Sequence, residues 1–134
     1  MVFWLYQMSM RGFSPEAYRE EIWEGKTTAW PAGRIMTDER PRQGDRILLW
    51  FTKTGNKEPG TYGWGVITKY RARSNVIEFR PAYPSDYLKM YPLYNDEVDR
   101  LVNEIRGPVP EATMWQVDES HARALREKIR EWIK

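Results

Sequence analysis

Apolar positions along this chain fall into short runs that alternate between a strand pattern and a helix pattern. Residues 2–7 (Val-Phe-Trp-Leu-Tyr-Gln) are β-branched and aromatic and read as a strand. Ser14, Pro15 and Glu16 then supply an N-cap, a proline at the first helical position and an acid in the first turn. Ala17, Tyr18, Glu21 and Ile22 continue a short helix that Gly25 stops. Residues 26–45 read as loop, ending in the turn Gly44-Asp45. Residues 46–52 (Arg-Ile-Leu-Leu-Trp-Phe-Thr) form a buried strand, and a connection over 53–61 leads to a second strand over 62–70, the pair reading as a hairpin. Residues 74–79 add a third strand ending near Pro81, and 81–94 is an irregular stretch rich in tyrosine and proline. Asn95 caps a helix whose Val98, Leu101, Val102 and Ile105 share one face, and Gly107-Pro108 ends it. Residues 113–117 are a last strand, after which Asp118 caps a helix striped by Ala122, Leu125, Ile129 and Ile133. The order β α β β β α β α predicts one α+β domain over 1–134, with a curved, mainly antiparallel sheet or small barrel flanked by short helices.

Composition narrows the chemistry. With 134 residues, 41% hydrophobic and 30% charged, one core is expected. No run approaches the roughly 18 to 20 apolar residues of a bilayer helix, and the first residues lack a basic leader pattern, so a cytoplasmic protein without membrane contact is expected. The absence of cysteine removes disulfides, thiol nucleophiles and Cys-type zinc sites. The one histidine, His121, lies in a helix first turn with no nucleophile or second ligand near it in sequence, and reads as a surface residue. Carboxylate pairs at Glu20-Glu21, Asp38-Glu39 and Asp96-Glu97 sit in helix first turns or polar loops, where acids serve the helix dipole or solubility. No phosphate-binding P-loop and no glycine-rich dinucleotide motif occurs. The expectation is a non-enzymatic protein with no metal and no cofactor.

Charge and aromatics carry the remaining signal. The formal net charge is +2, yet residues 34–85 hold ten basic and five acidic side chains. A basic middle third suits a face that meets nucleic acid, and an ordinary solvated surface would look the same by count. Of the seven tryptophans, Trp4, Trp50 and Trp115 lie in strands and Trp23 and Trp132 on helices, where packing explains them. Trp30 is different: it falls in the expected loop between Ala29 and Pro31, close to Arg34, where neither periodicity asks for an apolar ring. A ring held there suits stacking on a flat base, worth about 1 to 3 kcal/mol. Tyr83, Tyr87, Tyr91 and Tyr94 also fall outside the expected elements, although their spacing equally fits a short helical turn packed on the sheet. Gly63-Trp64-Gly65 lies inside a strand, where two glycines mark a bend or the close approach of a backbone or ligand, so Trp64 joins the candidate pocket.

Four segments in order carry a resemblance. Phe3-Trp4-Leu5-Tyr6-Gln7, the loop Trp30, Gly44-Asp45-Arg46-Ile47-Leu48-Leu49-Trp50, and Pro59-Gly60-Thr61-Tyr62-Gly63-Trp64-Gly65-Val66-Ile67, followed by Met114-Trp115-Gln116-Val117 and a capped helix, are similar to the EVE domain family. The similarity spans nearly the whole chain. It implies a PUA-like pseudobarrel related to the YTH readers of methylated adenine, with an aromatic cage that takes a modified base flipped from a strand. Relatives of this kind are often linked to modification-dependent restriction, which implies a nuclease or translocase partner. Carried over by position, Trp30 matches one cage wall and Met8-Ser9 the strand end that reaches the base edge. Tyr83 and Tyr87 are candidates for the second wall. Gln7-Met8-Ser9 stands where many relatives have Lys-Ser-Glu or Lys-Ser-Asn. A flipped base loses a few kcal/mol of stacking and pairing that ring contacts and edge hydrogen bonds must return. Arg34, Arg40, Arg42, Lys53 and Lys57 flank Trp30 and the hairpin and are the candidate phosphate contacts. The expected partner is modified nucleic acid, DNA before RNA. A small ASCH-like hydrolase on the same barrel and a protein-interaction module are the alternatives, although the Gly-x-Lys-x-x-Glu-x-Arg signature of the former is absent.

Overall fold

The computed structural model describes residues 1–9, 27–52, 60–83, 96–106 and 113–132. The helix expected from Ser14 to Gly25, the tyrosine-rich stretch beyond Tyr83 with Tyr87, and the loop holding Lys53 and Lys57 lie outside the described residues. Among the described residues there are seven strands: β1 (Phe3–Ser9), β2 (Thr28–Pro31), β3 (Arg34–Ile35), β4 (Arg46–Thr52), β5 (Gly60–Arg71), β6 (Val76–Tyr83) and β7 (Thr113–Val117). The described helices are α1 (Asp96–Ile105) and α2 (Glu119–Trp132). Together they make a mixed α+β architecture on one sheet of order β2-β6-β5-β4-β1-β7-β3. β1 with β4 and β3 with β7 are parallel, and the other four pairings are antiparallel.

The sheet must curl. Its two edges, β2 and β3, are separated in the chain by Ala32 and Gly33 alone. Three steps between Cα atoms cover at most about 11 Å, whereas the edges of a flat seven-stranded sheet would stand about 29 Å apart. Asn75, in the β5–β6 turn, holds the two-residue connector in place. Its carbonyl accepts from Ala32 N at 2.8 Å, and its side-chain amide donates to Gly33 O at 2.7 Å. The Tyr70 hydroxyl in turn donates to Asn75 Oδ1 at 2.7 Å.

Here the expected loop over 26–45 is corrected, because it supplies both edge strands. Each is short and bordered by Pro or Gly, so nothing local marks it as a strand. Pairing supplies what the pattern lacks: Trp30 lies opposite Ile77, and Ile35 opposite Met114. Pro31 is tolerated because an edge strand can leave one side of its ladder unpaired. β6 also runs past Pro81 to Tyr83, with Pro81 opposite Gly65 next to a register shift.

Alternation along β1 divides the core in two. Trp4, Tyr6 and Met8 point to an inner cluster with Ile47, Leu49, Phe51, Ile67, Ile77, Phe79 and Met114. Leu5 points the other way, with Leu48, Trp50, Trp64 and Trp115, onto Val98, Leu101 and Val102 of α1 and Leu125 and Ile129 of α2. β4 is apolar without alternation because both of its faces are covered. At Gly65 a Cβ would stand 3.1 Å from Arg80 O and 3.2 Å from Ile47 Cγ2, so the glycine marks a close backbone approach at that bulge.

The turn before β4 is built on Gly44 and Asp45. Gly44 has φ +93°, a conformation that disfavours side chains, and its N–H donates to Ile67 O. Asp45, 5% exposed, accepts from Val2 N through Oδ1 and from both Trp4 Nε1 and Arg42 N through Oδ2, each at 3.0 Å. A carboxylate is the side chain that can take three N–H groups at once, and here it ties the start of β1 to the turn before its parallel neighbour. At the other end of the chain Asp118 caps α2 as expected, with Oδ1 accepting from His121 N at 2.9 Å.

Candidate functional site

Trp30 is the centre of the expected pocket, and it sits in a strand rather than a loop. The cross-strand row Tyr70–Ile77–Trp30 faces the inner cluster, with Ile77 fully buried and both aromatics half-buried at the margin. Phe79 meets the Trp30 indole edge-on, with ring centroids 5.3 Å apart, and Tyr6 lies at 6.4 Å, tilted by 34°. The Tyr6 hydroxyl donates to Pro31 O, pinning β2 to β1, and burial pushes that phenol well above the usual tyrosine range. The ring most exposed to approach is therefore backed by two others on a pinned backbone.

The other expected pocket residues divide between the two faces. Met8 shares the inner face with Trp30, but its side chain is fully buried, so it is core and does not line an open surface. Ser9 ends β1 opposite Thr52. Trp64 is corrected as a companion of Trp30: it lies on the helix-covered face, 5% exposed, with its ring edge-on to Phe3 at 5.4 Å. Tyr83 occupies the β6 position opposite Trp64. Register shifts at Leu49/Trp50 and at Trp64/Gly65 disturb the simple count of alternating residues between β4 and β6. The buried Trp64 Nε1 has no hydrogen-bond acceptor among the described residues.

Arg34, Arg40 and Arg42 are exposed in and after β3. Arg40 Nη1 donates to Thr37 O at 2.8 Å and Glu39 O at 3.2 Å, so it braces its own turn. A shallow hollow of about 310 Å³ is lined by Gly33, Ile35, Arg40, Tyr70, Ala72 and Asn75, beside the connector that joins the edges.

Sequence reading missed a buried polar row under the helices. Thr113, Gln7, Trp50 and Thr61 are successive cross-strand partners, none more than 1% exposed. Arg106, just after α1, donates to Gln7 Oε1 at 2.8 Å. Only the presence of a glutamine within an otherwise apolar strand could have signalled it.

No family model matches the chain, and no curated protein matches its sequence. Solved structures that share its fold include two with no established function in their names. One is a hypothetical protein from Leishmania major, with a TM-score of 0.66 at 15% identity, covering 100% of this chain and 98% of that one. The other is a Rhodopseudomonas palustris protein solved by NMR, with a TM-score of 0.56 at 14% identity, covering 96% and 93%. At such identities the likeness concerns architecture, which recurs over nearly the full length of each chain. Among the described residues no helix is long and apolar enough to cross a membrane, and no group of three or more His, Cys, Asp or Glu could hold a metal ion.

His121 is more engaged than its sequence position suggests. Its Nδ1 lies 2.6 Å from Asp118 Oδ2 and its Nε2 3.0 Å from Glu104 Oε2, so the imidazole bridges α2 to α1. The hydrogen bond that the ring donates to Asp118, reinforced by the one to Glu104, raises its pKa above the ordinary histidine value. A raised folded-state pKa means that this contribution to stability is complete below about pH 6.5 and is lost as pH rises through the folded value. As the chain's only histidine, with no cysteine present, it is the one side chain expected to titrate in that range. An NMR titration should place His121 above 6.5 and Asp118→Asn should bring it down, with urea midpoints lower at pH 8.5 than at pH 5.5 in the parent protein. Equal midpoints in the parent would remove the bridge as a stabilising contact.

Proposed function

We propose that this protein is a nucleic-acid-binding module of the EVE, PUA-like type, and that it receives a modified base, in DNA before RNA, against Trp30. The observation that carries the reading is the setting of Trp30: a half-buried indole on an edge strand, braced by Phe79 and Tyr6, with exposed arginines nearby. A braced ring presents its stacking surface without first losing side-chain freedom, which favours base capture over nonspecific contact. Uneven charge supports the same reading. Residues 27–52 and 60–83 together carry eight basic and four acidic side chains, whereas α1 is acidic. The curl of the sheet and the two helices agree with a pseudobarrel of this class.

Trp30→Ala is expected to weaken binding of the preferred modified oligonucleotide by about 1–3 kcal/mol, or roughly 5- to 150-fold. Trp30→Phe is expected to retain most of the affinity. Fluorescence anisotropy with single- and double-stranded oligonucleotides carrying N6-methyladenine, 5-methylcytosine, 5-hydroxymethylcytosine or no modification measures this. Urea unfolding of each variant separates lost stacking from lost packing. Unchanged affinity of a folded Trp30→Ala protein for every oligonucleotide would sink the proposal.

A further inference from the structure

A line of arginines crosses the outer face of the sheet and continues onto α2. Phe3, Arg46, Val66 and Arg80 are successive cross-strand partners on β1, β4, β5 and β6. Side chains at directly paired positions share a face. The row lies on the face away from the inner cluster, since Ile47, Ile67 and Phe79, each next in sequence to a member of it, point inward. The Arg126 guanidinium from α2 sits 5.6 Å over the Phe3 ring, which joins the helix to the row. Arg130 follows one turn later on the same helix face and Arg123 precedes it, so Arg123, Arg126 and Arg130 form one stripe. Beside Phe3 this stripe borders a cleft of about 500 Å³.

Few carboxylates answer these charges. Glu119 is taken by Arg123 at 3.3 Å, Asp118 is engaged by His121, and Glu78, which shares the outer face of β6, is held by Arg71 at 2.9 Å. Glu127 lies about 100° around α2 from Arg126. Arg46 Nη1 donates to Gly44 O. Arg80, Arg126 and Arg130 have no carboxylate partner among the described residues, although the chain holds 19 acids. Within the segment of Arg34, Arg40 and Arg42, by contrast, Asp38 and Glu39 intervene and Arg40 is committed to its own turn.

We infer that the phosphodiester backbone of a nucleic acid lies along Arg80, Arg46, Arg126 and Arg130. This rests on the reading of the protein as a nucleic-acid binder and adds where the strand runs. Arg46 and Arg80 are two strand spacings apart, about 10 Å. Arg80 is three residues along β6 from Ile77, the partner of Trp30, again about 10 Å. A strand on the outer face can therefore send one nucleotide around the β2 edge to Trp30 while its neighbours stay on the arginines. Backbone contacts of this kind supply affinity and salt dependence, and base contacts supply discrimination.

The test is anisotropy of the full chain with 20-nucleotide single-stranded and duplex DNA, with and without N6-methyladenine, from 50 to 200 mM NaCl. Arg80→Gln/Arg126→Gln/Arg130→Gln is compared with the parent and with Arg34→Gln/Arg40→Gln/Arg42→Gln. Each lost phosphate contact lowers the slope of log K against log salt by about 0.7 to 0.9. The first triple variant is expected to lower it by about 2 to 3, while the ratio of modified to unmodified affinity is kept. Urea midpoints confirm folding, and the single variants Arg80→Gln and Arg130→Gln, outside both cores, serve if Arg126 proves needed over Phe3. An unchanged slope in this variant, or a slope change found only in the Arg34 set, overturns the line while leaving the Trp30 reading intact. Failure of the parent to bind any oligonucleotide overturns both. Preferential binding to phosphatidylserine vesicles, lost in the same variant, overturns nucleic acid as the occupant.

Discussion

Asp45→Ala is expected to lower the stability of this protein by about 3–5 kcal/mol, well beyond the loss of one ordinary hydrogen bond, because three donors lose their acceptor together. Asp45 is 5% exposed and accepts N–H groups from Val2, Trp4 and Arg42. Removing it strands the indole N–H of Trp4, which is fully buried, and frees both the first strand and the turn before β4. Natural domains have about 5–15 kcal/mol in hand, so a loss of this size removes a large share of it. Asp45→Asn is the informative control. One amide oxygen in the Oδ2 position keeps the acceptor for Trp4 and Arg42, while the –NH₂ group then faces the Val2 N–H donor, so the loss should be smaller than for alanine. Urea denaturation followed by tryptophan fluorescence measures both, and the Trp4 indole proton shift reports the local contact. A loss under about 1 kcal/mol for alanine, no more than a single hydrogen bond, would show that this carboxylate does not hold β1 to the turn.

A second large effect is expected at Asn75, where alanine should cost about 3–4 kcal/mol. Two causes add. Asn75 has φ +55°, which asparagine tolerates and alanine resists by about 1–2 kcal/mol. Its side chain also links Gly33 O and the Tyr70 hydroxyl, worth about 1 kcal/mol each. Asn75→Gly relieves the backbone but still lacks the links, so it should fall between the parent and alanine. The consequence is local as well as global. The connector of Ala32 and Gly33 joins the two sheet edges, so hydrogen exchange of β2 amides should speed up before that of β4. If β2 and β4 exchange in step in Asn75→Gly, the turn does not control the closing of the sheet.

Much of the molecule was legible from its residues. The aromatic β1, the apolar β4, the meander through β5 and β6, the last strand and both described helices follow from local pattern and caps, and the observed bounds differ from the expected ones mainly at the ends. Two pieces were not legible. β2 and β3 are short and bordered by Pro or Gly, and each becomes a strand only through a neighbour distant in sequence, β6 for one and β7 for the other. The expected pocket also merged residues that the sheet keeps apart, because bulges in β5 break the count of alternating faces. Met8 and Trp30 went to one side and Trp64 to the other.

β2 and β3 apart, which of the described segments become strands or helices, which glycine and aspartate make the turn before β4, and how many charges there are follow from neighbouring residues, since propensity, capping and turn geometry act over a few positions. Sidedness, edge closure and the alignment of Arg46, Arg80 and Arg126 do not. They arise when strands far apart in sequence are paired in register, and register is set by burial on both faces of the sheet at once, a condition that no short window of sequence contains.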